Sequence, residues 1–179
     1  MSAGPADAIA AFHVAARTSD MNLLAPLFRA AVEAAIAECN AKQLDAIVYE
    51  TYRSNELQSV YYTRGRTVRP PDETVTNAMN HLYSWHGYGL AVDVIHRTKE
   101  WGPGEAWFQS VAEIFKRHGC KWGGDWKSRD RPHFQWGLCR ASPSERAREL
   151  LRTGGVWAVW EAVGAATALP VTTTTGASG

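Results

Sequence analysis

The chain is poor in cysteine, in long apolar runs and in excess charge of either sign, and each scarcity argues against a class of function. Cys39, Cys120 and Cys139 are the only cysteines in 179 residues, and no two have the CxxC spacing. A disulfide framework or a cysteine-based metal site is therefore not expected. No apolar stretch approaches the roughly 20 residues that a membrane-spanning helix needs, so no stable membrane insertion is expected. The formal net charge is only +1, which provides no broad basic field for nucleic acid. The opening residues, MSAGPADAIAAFHVAARTSD, lack a basic stretch followed by an apolar one, so no secretory signal is expected.

What is present is ordinary globular material: 45% hydrophobic and 21% charged residues, at a length suited to one domain with a real core. Eight tryptophans are many. Most are expected as core or half-buried anchors, because aromatic side chains dominate cores.

The order of elements reads as α+β. Pro26 suits a first helical turn, and Leu27, Phe28, Ala31, Ala35 and Cys39 follow at helical spacing, predicting a helix over 26–42. DAIVYETY, residues 45–52, is a short β-rich strand. Ser54 is placed to cap a short helix ending near Gly65. A loop follows over 68–83, where Pro70 and Pro71 forbid regular structure at the start. Residues 104–118 form an amphipathic helix stopped by Gly119, and strands are expected around CKWGG and HFQWG. Ser142 to Glu145 reads as a capping box opening a helix to about Leu151, with a last helix over 156–166. Residues 1–166 make one domain, and the low-complexity segment 167–179 is expected to be disordered.

Two stretches break these local rules. SWHGYGLAVDVI, residues 84–95, ends like a buried strand yet carries His86, two glycines and Asp93. Gly87 and Gly89 permit a tight turn that folds His86 back toward Asp93. Taken alone, the pair could simply brace that turn. GGDWKSRDRPHFQW, residues 123–136, adds Asp130 and His133. Two imidazoles and two carboxylates supply three ligands for a zinc ion and one free carboxylate, which is the open catalytic arrangement rather than a closed structural one. The free carboxylate would act as general base. Spacing does not say which Asp takes which role.

SWHGYGLAVD resembles the Ser-x-His-x-x-Gly-x-Ala-x-Asp signature of the M15 zinc peptidases, the D-alanyl-D-alanine carboxypeptidase and VanY-like group. GGDW followed by DRPHFQ is similar to the L-alanyl-D-glutamate endopeptidase branch, found in phage endolysins and wall-lytic enzymes. YRS at 52–54, Gln58 and GRT at 65–67 match a third block in the right order. The resemblance implies a small antiparallel sheet carrying the site, packed with several helices as in the hedgehog and D,D-peptidase folds. It makes His86, Asp93 and His133 ligands of one Zn²⁺ per chain and Asp130 the base. Arg53 would clamp a substrate carboxylate or carbonyl, so that its loss slows turnover and leaves zinc in place. Ser84 would order the ligand turn or contact the peptide, with a structural hydrogen bond as the equal alternative, while Gln58 and Asp125 are weaker candidates for which a structural role is the stronger reading. Arg129 alone separates Ser128 from Asp130, so this loop is shorter than the family pattern.

The implied activity is cleavage of the L-alanyl-D-glutamate bond in the peptidoglycan stem peptide, by a monomeric phage endolysin. Such a lysin waits in the host cytoplasm before release to the periplasm and wall. Two alternatives remain at this point: a D-alanyl-D-alanine carboxypeptidase of the same fold, and a non-catalytic zinc-stabilised binding module. Of the other histidines, His96 is a candidate for supporting the ligands or for simple solvation.

Overall fold

The computed structural model describes residues 4–68 and 75–166. The expected disordered tail and the Pro70–Pro71 start of the long loop lie outside the described residues. A short helix α1 (Pro5–Ala10), not anticipated above, begins with Pro at its first turn. Then follow α2 (Pro26–Ala41), β1 (Ala46–Glu50), α3 (Asn55–Thr63), β2 (Ala91–His96), α4 (Glu105–Arg117), β3 (Cys120–Trp122), β4 (His133–Trp136) and α5 (Glu145–Ala162). The fold is α+β, as expected.

The four strands form one antiparallel sheet in the order β1-β2-β4-β3. Strand alternation sorts its two faces. Val92, Val94 and Phe134 join the apolar core with Phe28 and Phe115, where the Phe115 and Phe134 rings lie 4.3 Å apart. Asp93 and His133 fall on the opposite parity and pair directly across the ladder. β1 is irregular between Val48 and Glu50. After Val48↔Val94 a regular ladder would set Tyr49 against Asp93, but the bulge sets Glu50 there instead. Glu50, Asp93 and His133 thus form one row across three strands.

Two helix boundaries differ from expectation. The cap of α5 is Ser144, whose hydroxyl accepts from the Ala147 amide, so the helix starts two residues later than a Ser142 cap implies. The expected pair of helices is joined end to end, broken only at Gly155, where φ is 67°. Most tryptophans pack as expected: Trp85, Trp122 and Trp160 are buried, and Trp136 donates to the Val163 carbonyl. Trp101 and Trp157 are the exceptions, 49% and 37% exposed.

Candidate active site

The turn before β2 is built to return His86 to the sheet. Trp85–Tyr88 is a 3₁₀ turn ended by Gly89 in the left-handed region, at φ 65°. A side chain at position 89 would also meet the Leu23 carbonyl at 2.5 Å, so only glycine fits. His86 Nε2 then lies 3.4 Å from Asp93 Oδ1, and His133 Nδ1 lies 3.7 Å from the same oxygen. One ligand-type atom from each of the three side chains lies within 4.8 Å of the other two, and all three residues are buried.

The partners of the outer nitrogens set both tautomers. His86 donates from Nδ1 to the Thr51 carbonyl at 2.8 Å, because a carbonyl can only accept. His133 donates from Nε2 to Gln135 Oε1 at 3.1 Å, while Gln135 Nε2 is spent on the Arg140 carbonyl. Each ring therefore turns a lone pair toward Asp93, the arrangement in which metal-ligating imidazoles are held. His86 Nε2 is buried and has no hydrogen-bond partner among the described residues. An orphaned buried acceptor is costly unless something binds it. Spacings of 3.4 and 3.7 Å compare with tetrahedron edges of roughly 3.3 Å for metal bonds of about 2.0–2.1 Å. These residues fit a divalent metal ion.

Charge points the same way. Three carboxylates (Glu50, Asp93 and Asp130) line the cleft around one buried guanidinium, Arg53. Burial pushes the Asp93 carboxyl up, yet His86 and His133 when protonated, together with Arg53, outweigh it and hold its pKa well below the ordinary value. Asp130 as a whole residue is exposed. Even so, protein packed around its carboxyl, and then the Asp93 charge, hold its pKa above the ordinary one. A cleft of about 680 Å³ opens over this face, lined also by Ser84, Trp126 and Trp101.

Arg53 is already held by protein partners, and Gln58 takes the structural reading. Arg53 lines the cleft but is only 8% exposed and already engaged. Its Nη2 donates to Glu50 and, at 3.3 Å, to Asp93 Oδ2, and its Nη1 donates to Gln58 at 3.2 Å. It grips the outer oxygen of Asp93, so it supports the metal-type cluster directly. Gln58 is fully buried, absent from the cleft lining, and bound through its amide to the Ala78 carbonyl at 2.7 Å. It braces Arg53 from behind the wall. His96 faces neither ligand; its Nδ1 accepts from the Thr98 and Lys99 amides and closes a turn.

Sequence reasoning passed over Glu50, Gln135 and Trp126. Trp126 packs its ring 5.0 Å from that of His133, shielding it. The only signals were a carboxylate ending an apolar strand three residues before Arg53, a Gln two residues after His133, and the Trp of GGDW.

Arg53→Ala would strand Glu50 and Asp93 without their cation. We expect a loss of about 3–5 kcal/mol in stability, as for a broken buried pair, and zinc affinity weakened roughly 10–100-fold. Thermal unfolding and zinc titration beside the parent protein check both, and unchanged zinc affinity would restore the pure substrate-clamp reading.

Comparison with known proteins bears on the family. A family model described as D-alanyl-D-alanine carboxypeptidase matches residues 77–136, the span holding His86, Asp93, Asp130 and His133. The peptidoglycan L-alanyl-D-glutamate endopeptidase CwlK of Bacillus subtilis (strain 168) is 33% identical over 124 residues, covering 63% of this chain and 72% of CwlK. Among solved structures, the Serratia marcescens L-Ala D-Glu endopeptidase ChiX aligns with a TM-score of 0.50 at 22% identity, over 70% of this chain and 90% of ChiX. The LdcB LD-carboxypeptidase aligns with a TM-score of 0.50 at 15% identity, over 72% of this chain and 63% of that one. At such identities the two structures bear on the fold alone. CwlK carries the assignment: one residue in three is identical along nearly three-quarters of its length, and the chain belongs to the M15 peptidase family.

Proposed function

We propose that this protein is a zinc-dependent peptidoglycan endopeptidase that hydrolyses the L-alanyl-D-glutamate bond of the stem peptide. The observation that carries the reading is the buried His86–Asp93–His133 cluster, which contains an orphaned imidazole nitrogen and lines an open cleft. The bond assignment rests on the likeness to CwlK.

Bound zinc would supply a Lewis acid that acidifies water and polarises a carbonyl. The protein's own residues do the rest. Asp130, in the cleft beside the cluster, takes a proton from the attacking water as its oxygen joins the L-alanyl carbonyl carbon. It then returns that proton to the departing D-glutamyl nitrogen as the C–N bond breaks. Thr51 and Gln135 hold the two imidazoles in their ligating tautomers, and Arg53 keeps Asp93 ionised and aimed. The Ser84 hydroxyl, on the cleft wall, is available to the peptide.

Mass spectrometry of muropeptides digested by the purified protein tests the bond. We expect L-alanine left on the muramyl side and a new amino terminus on D-glutamate. Release of free D-alanine as the sole product would select the carboxypeptidase alternative. The endolysin role belongs to the same proposal, supported by the likeness of GGDW and DRPHFQ to that branch. Loss of turbidity when the protein is added to outer-membrane-permeabilised cells would support it, and intact cells despite cleaved muropeptides would count against it.

A further inference from the structure

The position of Asp130 is set by its backbone and by the residues beside it. The Asp130 amide donates to the Gly123 carbonyl at 3.0 Å, and the Asp130 carbonyl accepts from the His133 amide at 3.3 Å. The two strands of this loop run so close that a side chain on Gly123 would meet the Asp130 carbonyl at 2.5 Å.

The flanking side chains converge on a single carboxylate. Arg129 pairs with Glu105 Oε1 and also donates from Nε to the Gly124 carbonyl at 2.8 Å. Arg131 Nε lies 2.7 Å from Glu105 Oε2, although that contact is an ion pair without hydrogen-bond alignment. Glu105 is the first residue of α4, a helix fixed by Phe108, Val111 and Phe115 in the core. One rigidly based carboxylate thus holds the residues on both sides of Asp130, in the loop that is short for the family.

We propose that Glu105 is a positioning residue for Asp130. By bridging Arg129 and Arg131 it holds the base at its station beside the His86–Asp93–His133 cluster. A single half-exposed ion pair contributes little to stability. Its effect here lies in geometry instead, because displacing a catalytic group by about 1 Å can cost up to roughly a hundred-fold in rate. The inference rests on the endopeptidase reading for its kinetic consequence, and on the fold alone for the ordering of the loop.

The test is a double-mutant cycle with a readout independent of activity. Glu105→Ala is expected to lower kcat on the stem peptide about ten-fold, with KM within two-fold and with zinc content and Tm unchanged. In an Asp130→Asn background the same change should have no further effect. Glu105→Gln, which keeps one acceptor oxygen, should recover part of the loss. Arg131→Ala, outside the cleft lining, should reproduce part of it. Glu149→Ala, which breaks a comparable exposed pair with Arg152, should change nothing. Amide hydrogen exchange should rise in residues 127–131 of Glu105→Ala and not elsewhere. An unchanged kcat, an equal loss in the Asp130→Asn background, or unchanged exchange in the loop would each overturn the proposal. Wild-type protein that leaves the stem peptide intact would refute the endopeptidase reading, while the exchange result would still decide the role of Glu105 in the loop.

Discussion

Dialysis of the protein against a zinc chelator is expected to take cleavage of the stem peptide below detection, and one equivalent of zinc per chain to restore it. The magnitude follows from dividing the rate enhancement. Enzymes typically accelerate their reactions by about 10⁶-fold or more, whereas a positioned base such as Asp130 supplies roughly 10²–10⁴. The balance must come from the metal and from the positioning it completes. Removing the metal also restores the electrostatic problem of the apo site, where Glu50, Asp93 and Asp130 share the cleft with one buried guanidinium, Arg53. A ligand that binds only the folded state adds to its stability, so the chelated protein should also melt at a lower temperature. Metal analysis finding fully active protein without zinc would remove the basis of the reading.

Asp130→Asn is expected to keep its zinc and lose about 10²–10⁴-fold in turnover, since asparagine preserves size and polarity but cannot take a proton. Asp93→Asn should behave in the opposite order, losing metal first and activity as a consequence. Asp93 lies within reach of both imidazoles and of Arg53. Replacing its carboxylate by an amide removes a ligand charge and leaves Glu50 as the one carboxylate bonded to the buried Arg53. Zinc content measured on both variants, beside turnover, separates the roles. If Asp130→Asn lost its zinc while Asp93→Asn kept it, ligand and base would have to be exchanged. A similar rate loss in both with zinc retained would mean that Asp93 is not a ligand.

The parts of the site that sequence made legible are those that break a local rule. Gly87, Gly89 and Asp93 are poor strand formers placed at the head of an apolar run. That conflict is visible without coordinates and marks a turn that returns His86 to Asp93. Pro132 biases Arg131 toward an extended conformation and so starts the strand of His133. Helices α2 and α4 were readable because helical periodicity and end signals are short-range properties. Misjudged boundaries came from competing local signals: Ser142 and Ser144 both suit an N-cap, and Ser144 is the one that accepts from the helix.

By itself the sequence made legible the α+β order of elements, the turn that bends His86 back and the four residues proposed for the chemistry, since each depends on residue type and near neighbours. Only the tertiary structure decided what Arg53 does. Its partners Glu50 and Asp93 lie on different strands, and Glu50 reaches Asp93 because a bulge in β1 shifts the ladder by one residue. Likewise Glu105 and Asp130 are 25 positions apart, joined through arginines whose partners no periodicity reveals. Side-chain pairing across strands and loops is set by register and by packing of α4 on the sheet, and these are long-range outcomes that a linear pattern does not encode.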